Sequence, residues 1–262
     1  MLLQDKVVIV SGIGPGLGVK LAVEAAREGA RGVVLAARSA AKLDDAETRI
    51  RALGMKCRAI KVPTDITDAA QRTRLVETTV AEFGRIDALI NSAFAHGDFA
   101  PIEQLGEDSW DQALQTNLLG SVRLTLAAVP QMKKQGGGAV VMINTLASFR
   151  PFPGEAAYAA SKGGLLAATK YLAAELGPFN IRVNTARMSW MWGAPVQGYV
   201  QMMADSQGVP LKTVTDSISA NIPLRRIVTD DECARAALML ASDYASAVTG
   251  ATLDANGGEV MA

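Results

Sequence analysis

Short apolar segments with the length of buried strands alternate with longer segments of helical periodicity along nearly the whole chain. The predicted strands are Lys6–Val10, Val33–Ala36, Cys57–Val62, Ala88–Asn91, Ala139–Ile143, Ile181–Thr185 and Ala251–Asp254. Repeated β–α units with fully apolar strands form a parallel sheet with helices on both faces, and right-handed crossovers make that sheet doubly wound. The sequence therefore predicts a single α/β domain over residues 1–262, with three layers in the order αβα.

One segment, at about residues 188–223, interrupts this alternation. It is rich in Met, Trp and Pro, and its hydrophobic periodicity is weak. So long a connection in a compact domain usually has a function. We interpret it as an irregular lid over a binding site.

Composition excludes several classes of partner. Twenty-six basic residues balance 26 acidic ones, so neither a nucleic-acid footprint nor a membrane-surface footprint is expected. No segment is long and apolar enough to span a bilayer, and the first residues do not have the pattern of a signal peptide. Cys57, Cys233 and the single histidine, His96, have no metal-ligand spacing, and such cysteine usage suits a reducing compartment. We expect a cytoplasmic protein without a metal, acting on a small molecule.

A glycine-rich loop follows the first strand. Between Ser11 and Leu17 it contains Gly12, Gly14 and Gly16, and Gly18 follows in the predicted helix. Glycines allow a tight turn and a close approach to a pyrophosphate, and the N-terminus of the helix provides N–H groups for the phosphates. The strand–loop–helix context predicts a dinucleotide site.

The end of the second strand bears on the choice of cofactor. A carboxylate at this point would bind the ribose 2′-hydroxyl of NAD, but the sequence has Ala37 followed by Arg38. A guanidinium suits a 2′-phosphate, so we predict NADP, with NAD still possible. The alternative is that Arg38 is merely solvated.

Tyr158 and Lys162 are four residues apart in a predicted helix that follows the strand ending near Thr145. Side chains at this spacing lie on one face of a helix. An ammonium near a phenol favours the phenolate and lowers the pKa of the tyrosine from about 10, and a hydroxyl at Thr145 could bind a substrate oxygen. The alternative is an exposed helix face without a function.

With these elements placed, the chain resembles the short-chain dehydrogenase/reductase family along nearly its whole length, a family with a Rossmann-type fold. The matching motifs are the glycine loop, Thr64-Asp65-Ile66-Thr67-Asp68, Thr116-Asn117-Leu118-Leu119-Gly120, Tyr158-Ala159-Ala160-Ser161-Lys162 and the ending Asp254-Ala255-Asn256-Gly257-Gly258. The resemblance implies that Asp65 contacts the adenine. It also implies that Ile66, Asn91, Ala93 and Met188 contact the cofactor together with Tyr158 and Lys162.

Three motifs depart from the family pattern. The family's catalytic serine falls at Thr145, and Ser148 is the weaker alternative for its role. Phe94 replaces a glycine beside the nicotinamide, and Met188-Ser189 replaces a Pro-Gly pair. None of these changes removes the hydroxyl groups or the lysine.

The resemblance implies hydride transfer between a nicotinamide and a carbonyl carbon. Tyr158 would protonate the alkoxide, Thr145 would stabilise it, and Lys162 would lower the pKa of the tyrosine and hold the ribose. Asn117 would position a water that links Lys162 to solvent. A homotetramer is also implied. The alternatives are a non-catalytic regulator that binds the cofactor, and a dehydratase or epimerase.

The aromatic residues near the predicted lid are the only indication of the substrate. Phe94, Phe149, Phe152, Trp190 and Trp192 could line an apolar cleft for a bulky alcohol or ketone, such as a steroid or terpenoid. Alternatively, several of them pack the lid or a subunit contact. His96 is interpreted as a surface loop residue rather than a catalyst.

Overall fold

A computed structural model describes residues 1–261 of the chain. Its centre is a seven-stranded parallel sheet in the order β3-β2-β1-β4-β5-β6-β9. The seven strands are β1 (Val7–Ser11), β2 (Gly32–Ala37), β3 (Arg58–Pro63), β4 (Ala88–Asn91), β5 (Gly138–Thr145), β6 (Ile181–Met188) and β9 (Thr252–Ala255). Two short strands, β7 (Met191–Trp192) and β8 (Val228–Thr229), pair with each other outside this sheet. The predicted doubly wound α/β fold is confirmed.

Helices cover both faces of the sheet. They are α1 (Leu17–Arg27), α2 (Ala40–Ala52), α3 (Ala69–Phe83), α4 (Glu107–Ala113), α5 (Ser121–Lys134), α6 (Ala156–Leu176), α7 (Ala194–Gln207), α8 (Leu211–Ala220) and α9 (Asp230–Ala241). One hydrophobic core joins the sheet to α1, α2 and α9, and a second core joins it to α3, α5 and α6. Successive side chains of β1 alternate between the two cores, with Val8 and Val10 in the first and Ile9 in the second, because neighbouring side chains in a strand point to opposite faces.

The sequence predicts one long helix between Ser109 and Lys134, but the structure divides this segment. A π-helical segment, Leu114–Gly120, separates α4 from α5. Such segments are rare and occur frequently at functional sites. The segment contains Asn117.

The segment at 188–223 is more ordered than the sequence predicts. It contains α7 and α8, which share a small core of Val200, Ala204 and Val214. The partly buried Trp192 packs against this core. The prediction of an irregular lid was therefore wrong in its secondary structure, since the segment contains the 14-residue α7 and the 10-residue α8.

None of the helices in residues 1–261 has the length and apolar character needed to cross a membrane. Over the same residues, no group of three potential ligands is arranged to hold a metal ion. Both cysteines are free.

Candidate active site

A cavity of about 970 Å³ opens at the carboxyl ends of the parallel strands. This is the edge where open parallel α/β sheets bind ligands. The cavity is lined by fourteen of the residues predicted for the site, namely Gly12, Gly14, Gly16, Leu17, Gly18, Arg38, Asp65, Ile66, Ala93, Phe94, Thr145, Tyr158, Lys162 and Met188. Residues from distant parts of the sequence therefore share one volume, large enough for a nucleotide and a small substrate.

The glycine loop has the shape of a phosphate cradle. A Cβ atom at Gly12 would lie 2.2 Å from the backbone nitrogen of Ala93, and one at Gly18 would lie 2.1 Å from the carbonyl oxygen of Gly12. These two glycines permit close backbone packing, whereas nothing lies within 4 Å of a Cβ placed on Gly14. No side chain caps the N-terminus of α1, so its first N–H groups are available to an anion. These features fit a pyrophosphate group.

Two cations lie at one rim of this cavity. Arg38 follows β2, and Lys42 is one turn further along, in α2; both are exposed and line the cavity. Within residues 1–261, Arg38 forms no ion pair with a carboxylate. Lys42 was not predicted from the sequence, because Arg38 precedes α2 and no helical spacing links the two residues.

Asp65 and Ile66 also line the cavity, after β3. One carboxylate oxygen of Asp65 accepts hydrogen bonds from the backbone N–H of Thr67 at 2.9 Å and from its hydroxyl at 2.7 Å. These bonds fix the orientation of the carboxylate beside the nucleotide half of the cavity.

Lys162 is held from two directions. Its ammonium nitrogen donates to the carbonyl oxygen of Ile143 at 2.8 Å, and its own carbonyl oxygen accepts from the Nδ2 of Asn144 at 3.0 Å. The side chain is buried, and burial lowers the pKa of Lys162 to about 8, because an ammonium loses its hydration there. The group therefore stays mostly charged at neutral pH and loses its proton above about pH 8.

The pKa of Tyr158 is shifted in the direction opposite to the one expected. The pKa of Tyr158 is about 12, because burial and, to a smaller extent, the negative charge of Glu155 raise it more than the hydrogen bond with Thr145 lowers it. The nitrogen of Lys162 lies 6.0 Å from the centre of the phenol ring and donates its hydrogen bond to the carbonyl oxygen of Ile143. The expected lowering by the ammonium is therefore not seen in this structure. At neutral pH the group is a phenol, the form that can give a proton.

The structure distinguishes between the two candidate hydroxyls. Thr145 lines the cavity and interacts with the phenol of Tyr158. The hydroxyl of Ser148 donates to the carbonyl oxygen of Thr145 at 2.7 Å and does not line the cavity. This placement favours Thr145 for contact with a substrate oxygen.

Asn117 has a different set of contacts from those expected of a water-positioning side chain. Its Oδ1 accepts from the backbone N–H of Ala95 at 2.8 Å, and its Nδ2 donates to the carbonyl oxygen of Ala95 at 2.8 Å and to the hydroxyl of Ser161 at 2.9 Å. The amide is fully buried and does not line the cavity. In this structure it fixes the loop after β4 to α6.

Asn91 also lies away from the cavity, contrary to the expected cofactor contact. It is buried, and its Nδ2 donates to the hydroxyl of Thr125 at 3.0 Å. It is the last residue of β4, and its side chain points back towards α5 rather than into the site.

Of the five aromatic residues predicted to contact substrate, only Phe94 lines the cavity. It is 60% exposed, and its ring lies 6.3 Å from that of Tyr158. Phe149 stacks with Arg187, Phe152 stacks with Arg150, Trp190 packs on Tyr199 and Trp192 packs in the lid core. Their predicted role in the cleft is therefore corrected, because each has a packing partner elsewhere.

The apolar wall on the lid side has other members. Met191 and Val196 line the cavity from the start of the lid, with Met188 beside them at the end of β6. Met191 was not predicted from the sequence, because a single sequence does not show which side chain of this segment turns towards the cavity.

The site thus defines a class of protein, a nicotinamide-dependent oxidoreductase with a Rossmann-type fold. Comparison with known families agrees, since residues 12–259 match the family described as Enoyl-(Acyl carrier protein) reductase. The "Dehydrogenase/reductase SDR family member 4" of Homo sapiens is 33% identical over 266 residues, which cover 98% of this chain and 88% of the human protein. The chain belongs to the short-chain dehydrogenase/reductase family.

Solved structures give the same result. An NAD⁺-bound xylitol dehydrogenase is 29% identical, with a TM-score of 0.88 over 98% of this chain and 100% of that one. A variant of actinorhodin polyketide ketoreductase with NADPH is 28% identical, with a TM-score of 0.88 over 99% of each chain. Proteins similar to this chain therefore bind NAD⁺ or NADPH, and this family uses a nicotinamide cofactor.

Proposed function

We propose that this protein is an NADP-dependent ketoreductase or secondary alcohol dehydrogenase. The observation that carries the proposal is the cavity itself. Thr145, Tyr158 and Lys162 line the same cavity as the glycine loop Gly12–Gly18. A proton donor, an oxyanion partner and a dinucleotide cradle are therefore within reach of one substrate.

The chemistry of these residues suits ketone reduction at neutral pH. The bound cofactor supplies the hydride. Tyr158, whose pKa is about 12, gives its proton to the oxygen that gains charge, and the Thr145 hydroxyl donates a hydrogen bond to the same oxygen. The charged Lys162, held by Ile143, stabilises the phenolate that remains.

Preference for NADP is supported by the two cations at the cavity rim. Arg38 and Lys42 are exposed there, and no carboxylate occupies the end of β2. A 2′-phosphate adds negative charge at this point, so both cations favour NADPH over NADH.

Parallel titrations with NADPH and NADH test this preference. We expect Arg38→Ala to weaken NADPH binding about tenfold, as expected for one charge-assisted contact, and to leave NADH binding almost unchanged. Arg235→Ala, at an exposed position of α9, is the matched control. Equal weakening for both cofactors would remove Arg38 from the preference.

We propose a bulky apolar ketone or alcohol as the substrate, such as a steroid or terpenoid. Support comes from Phe94, Met188, Met191 and Val196, which line the cavity. Nicotinamide absorbance should be followed with a panel of ketones graded by size and polarity. We expect turnover that increases with apolar surface. Cofactor binding without turnover across the panel would favour the regulator, and product analysis would reveal a dehydratase or epimerase.

We also propose a cytoplasmic homotetramer. The two cysteines are free and buried or partly buried, which suits a reducing compartment. Large apolar side chains are exposed on the outer helices, including Leu126 on α5 and Tyr171 on α6, and such surfaces mark contacts between chains. Sedimentation equilibrium should give four times the chain mass of 27.5 kDa; a monomer would contradict the proposal.

A further inference from the structure

His96 is the only histidine in the chain, and its position differs from that of the surface residue expected from the sequence. Its ring is stacked with that of Tyr158, with ring centres 4.9 Å apart and an interplanar angle of 23°. It is also stacked with Phe99, with ring centres 5.9 Å apart. An imidazole therefore lies directly against the phenol that we assign as the proton donor.

The loop that carries His96 is fixed on both sides of this residue. Asn117 binds both backbone groups of Ala95, and the backbone N–H of Asp98 donates to the hydroxyl of Ser109 at 2.8 Å. Between them, Gly97 has φ +75, and a Cβ there would lie 2.6 Å from that hydroxyl. The stack is thus imposed by the backbone as well as by the rings.

The charge around His96 comes mainly from one carboxylate. Glu155, at the N-terminus of α6, places its Oε1 3.7 Å from the Nε2 of His96. Hydrogen bonding and the negative charge of Glu155 raise the pKa of His96 above its usual value, and burial opposes this. The other titratable groups nearby are Tyr158 in the stack and Asp98 in the same loop, while α4 meets the loop through the uncharged Ser109.

The same carboxylate acts on the proton donor. Glu155 raises the pKa of Tyr158, so it disfavours the phenolate that proton transfer leaves behind. A cation paired with Glu155 reduces that effect. His96 contacts both groups.

We propose that His96 is a positioning residue for Tyr158, since its stacked ring holds the phenol, and its protonated form offsets the charge of Glu155 and so favours the phenolate. The inference rests on the proposed function, in which Tyr158 gives its hydroxyl proton to the reduced ketone oxygen. Ketone reduction is consequently faster when His96 is protonated, and its pH profile contains a lower inflection set by His96 and an upper one set by Lys162.

The first measurement is the titration of His96 by proton NMR, which needs no assignment because the chain has one histidine. We expect a midpoint above the usual value of about 6.5. Glu155→Gln should lower it by a few tenths of a pH unit, as expected for a partly exposed pair. Glu103→Gln, which removes a charge from an exposed position later in the chain, should leave it unchanged.

The second measurement is the single-turnover rate of NADPH oxidation as a function of pH. We expect the lower inflection of the wild type to coincide with the NMR midpoint and to be absent in His96→Phe, which keeps a ring but has no charge. The variant should be about 1.5- to 5-fold slower below this midpoint and equal to the wild type between the two inflections, with the upper inflection retained.

A lower inflection that persists in His96→Phe, or a rate that falls equally at every pH, would overturn the proposal, because an equal fall indicates packing alone. Tyr158→Phe separates this failure from that of the proposed function. If Tyr158→Phe still turns over, the assignment of the proton donor is wrong. If it is inactive while His96→Phe has the wild-type profile, only the inference about His96 fails.

Discussion

The nucleotide half and the substrate half of the cavity are built in different ways. In the nucleotide half, glycines and backbone groups define the shape, and there is no room for a Cβ atom at Gly12 or Gly18. In the substrate half, side chains from the loop after β4, the end of β6 and the lid define it, and Phe94 is 60% exposed there. Backbone geometry therefore fixes the nucleotide half, and the packing of a few side chains fixes the substrate half.

The prediction with the largest expected effect compares the hydroxyl of Thr145, which lines the cavity, with that of Ser148, which does not. We expect Thr145→Ala to lower kcat about 10²- to 10³-fold, because it removes a hydrogen-bond donor from the oxygen that gains charge. Ser148→Ala is the control, since the Ser148 hydroxyl is bonded to the Thr145 carbonyl oxygen and should change kcat little. Steady-state kinetics with a saturating ketone measures both, and the reverse order would assign the role to Ser148.

A second test compares a glycine from each half by urea unfolding. Gly18→Ala should cost about 1–3 kcal/mol of stability, the usual penalty for forcing atoms into a packed site, because its Cβ would lie 2.1 Å from a backbone oxygen. It should also weaken NADPH binding. Gly198→Ala, in the lid helix α7 with nothing within 4 Å, should instead gain about 0.5–1 kcal/mol, since alanine suits a helix interior better. Similar losses at both positions would contradict the contrast.

The smallest effect tests the apolar wall. Phe94→Ala should raise the KM for an apolar ketone about tenfold, the usual consequence of removing apolar contact from a pocket, with an unchanged Kd for NADPH. Phe152→Ala should leave both values unchanged, because Phe152 stacks with Arg150 outside the cavity. An increase in KM for Phe152→Ala alone would place the substrate on the other side of the lid.

The two halves also differ in how much of their structure could be predicted from the sequence. The helical periodicity after the third strand predicts a helix over Ala69–Phe83. The structure has the same bounds, since Asp68 caps the start and Gly84 ends the helix in a left-handed conformation. Strand and glycine-loop positions follow from local rules of this kind. The π-helical turn at Leu114–Gly120 has no such local signal.

The positions and contacts of the side chains in the substrate half depend on tertiary packing. Nothing in the sequence around Trp192 shows that it packs against the core of α7 and α8, or that Asn117 binds the backbone of Ala95. The stacking of His96 on Tyr158 joins residues from different elements, and a single sequence does not contain that information. The direction of the pKa shift of Tyr158 was missed for the same reason, because burial is a tertiary property.

The most direct test of the central claim is the single-turnover rate of NADPH oxidation by a ketone substrate in Tyr158→Phe and in the wild type, with the Kd for NADPH measured in both. We expect the rate to fall about 10²- to 10⁴-fold, the usual contribution of a positioned proton donor, while the Kd changes by less than about twofold. A rate within about threefold of the wild type, with cofactor binding intact, would contradict the role of Tyr158 as proton donor.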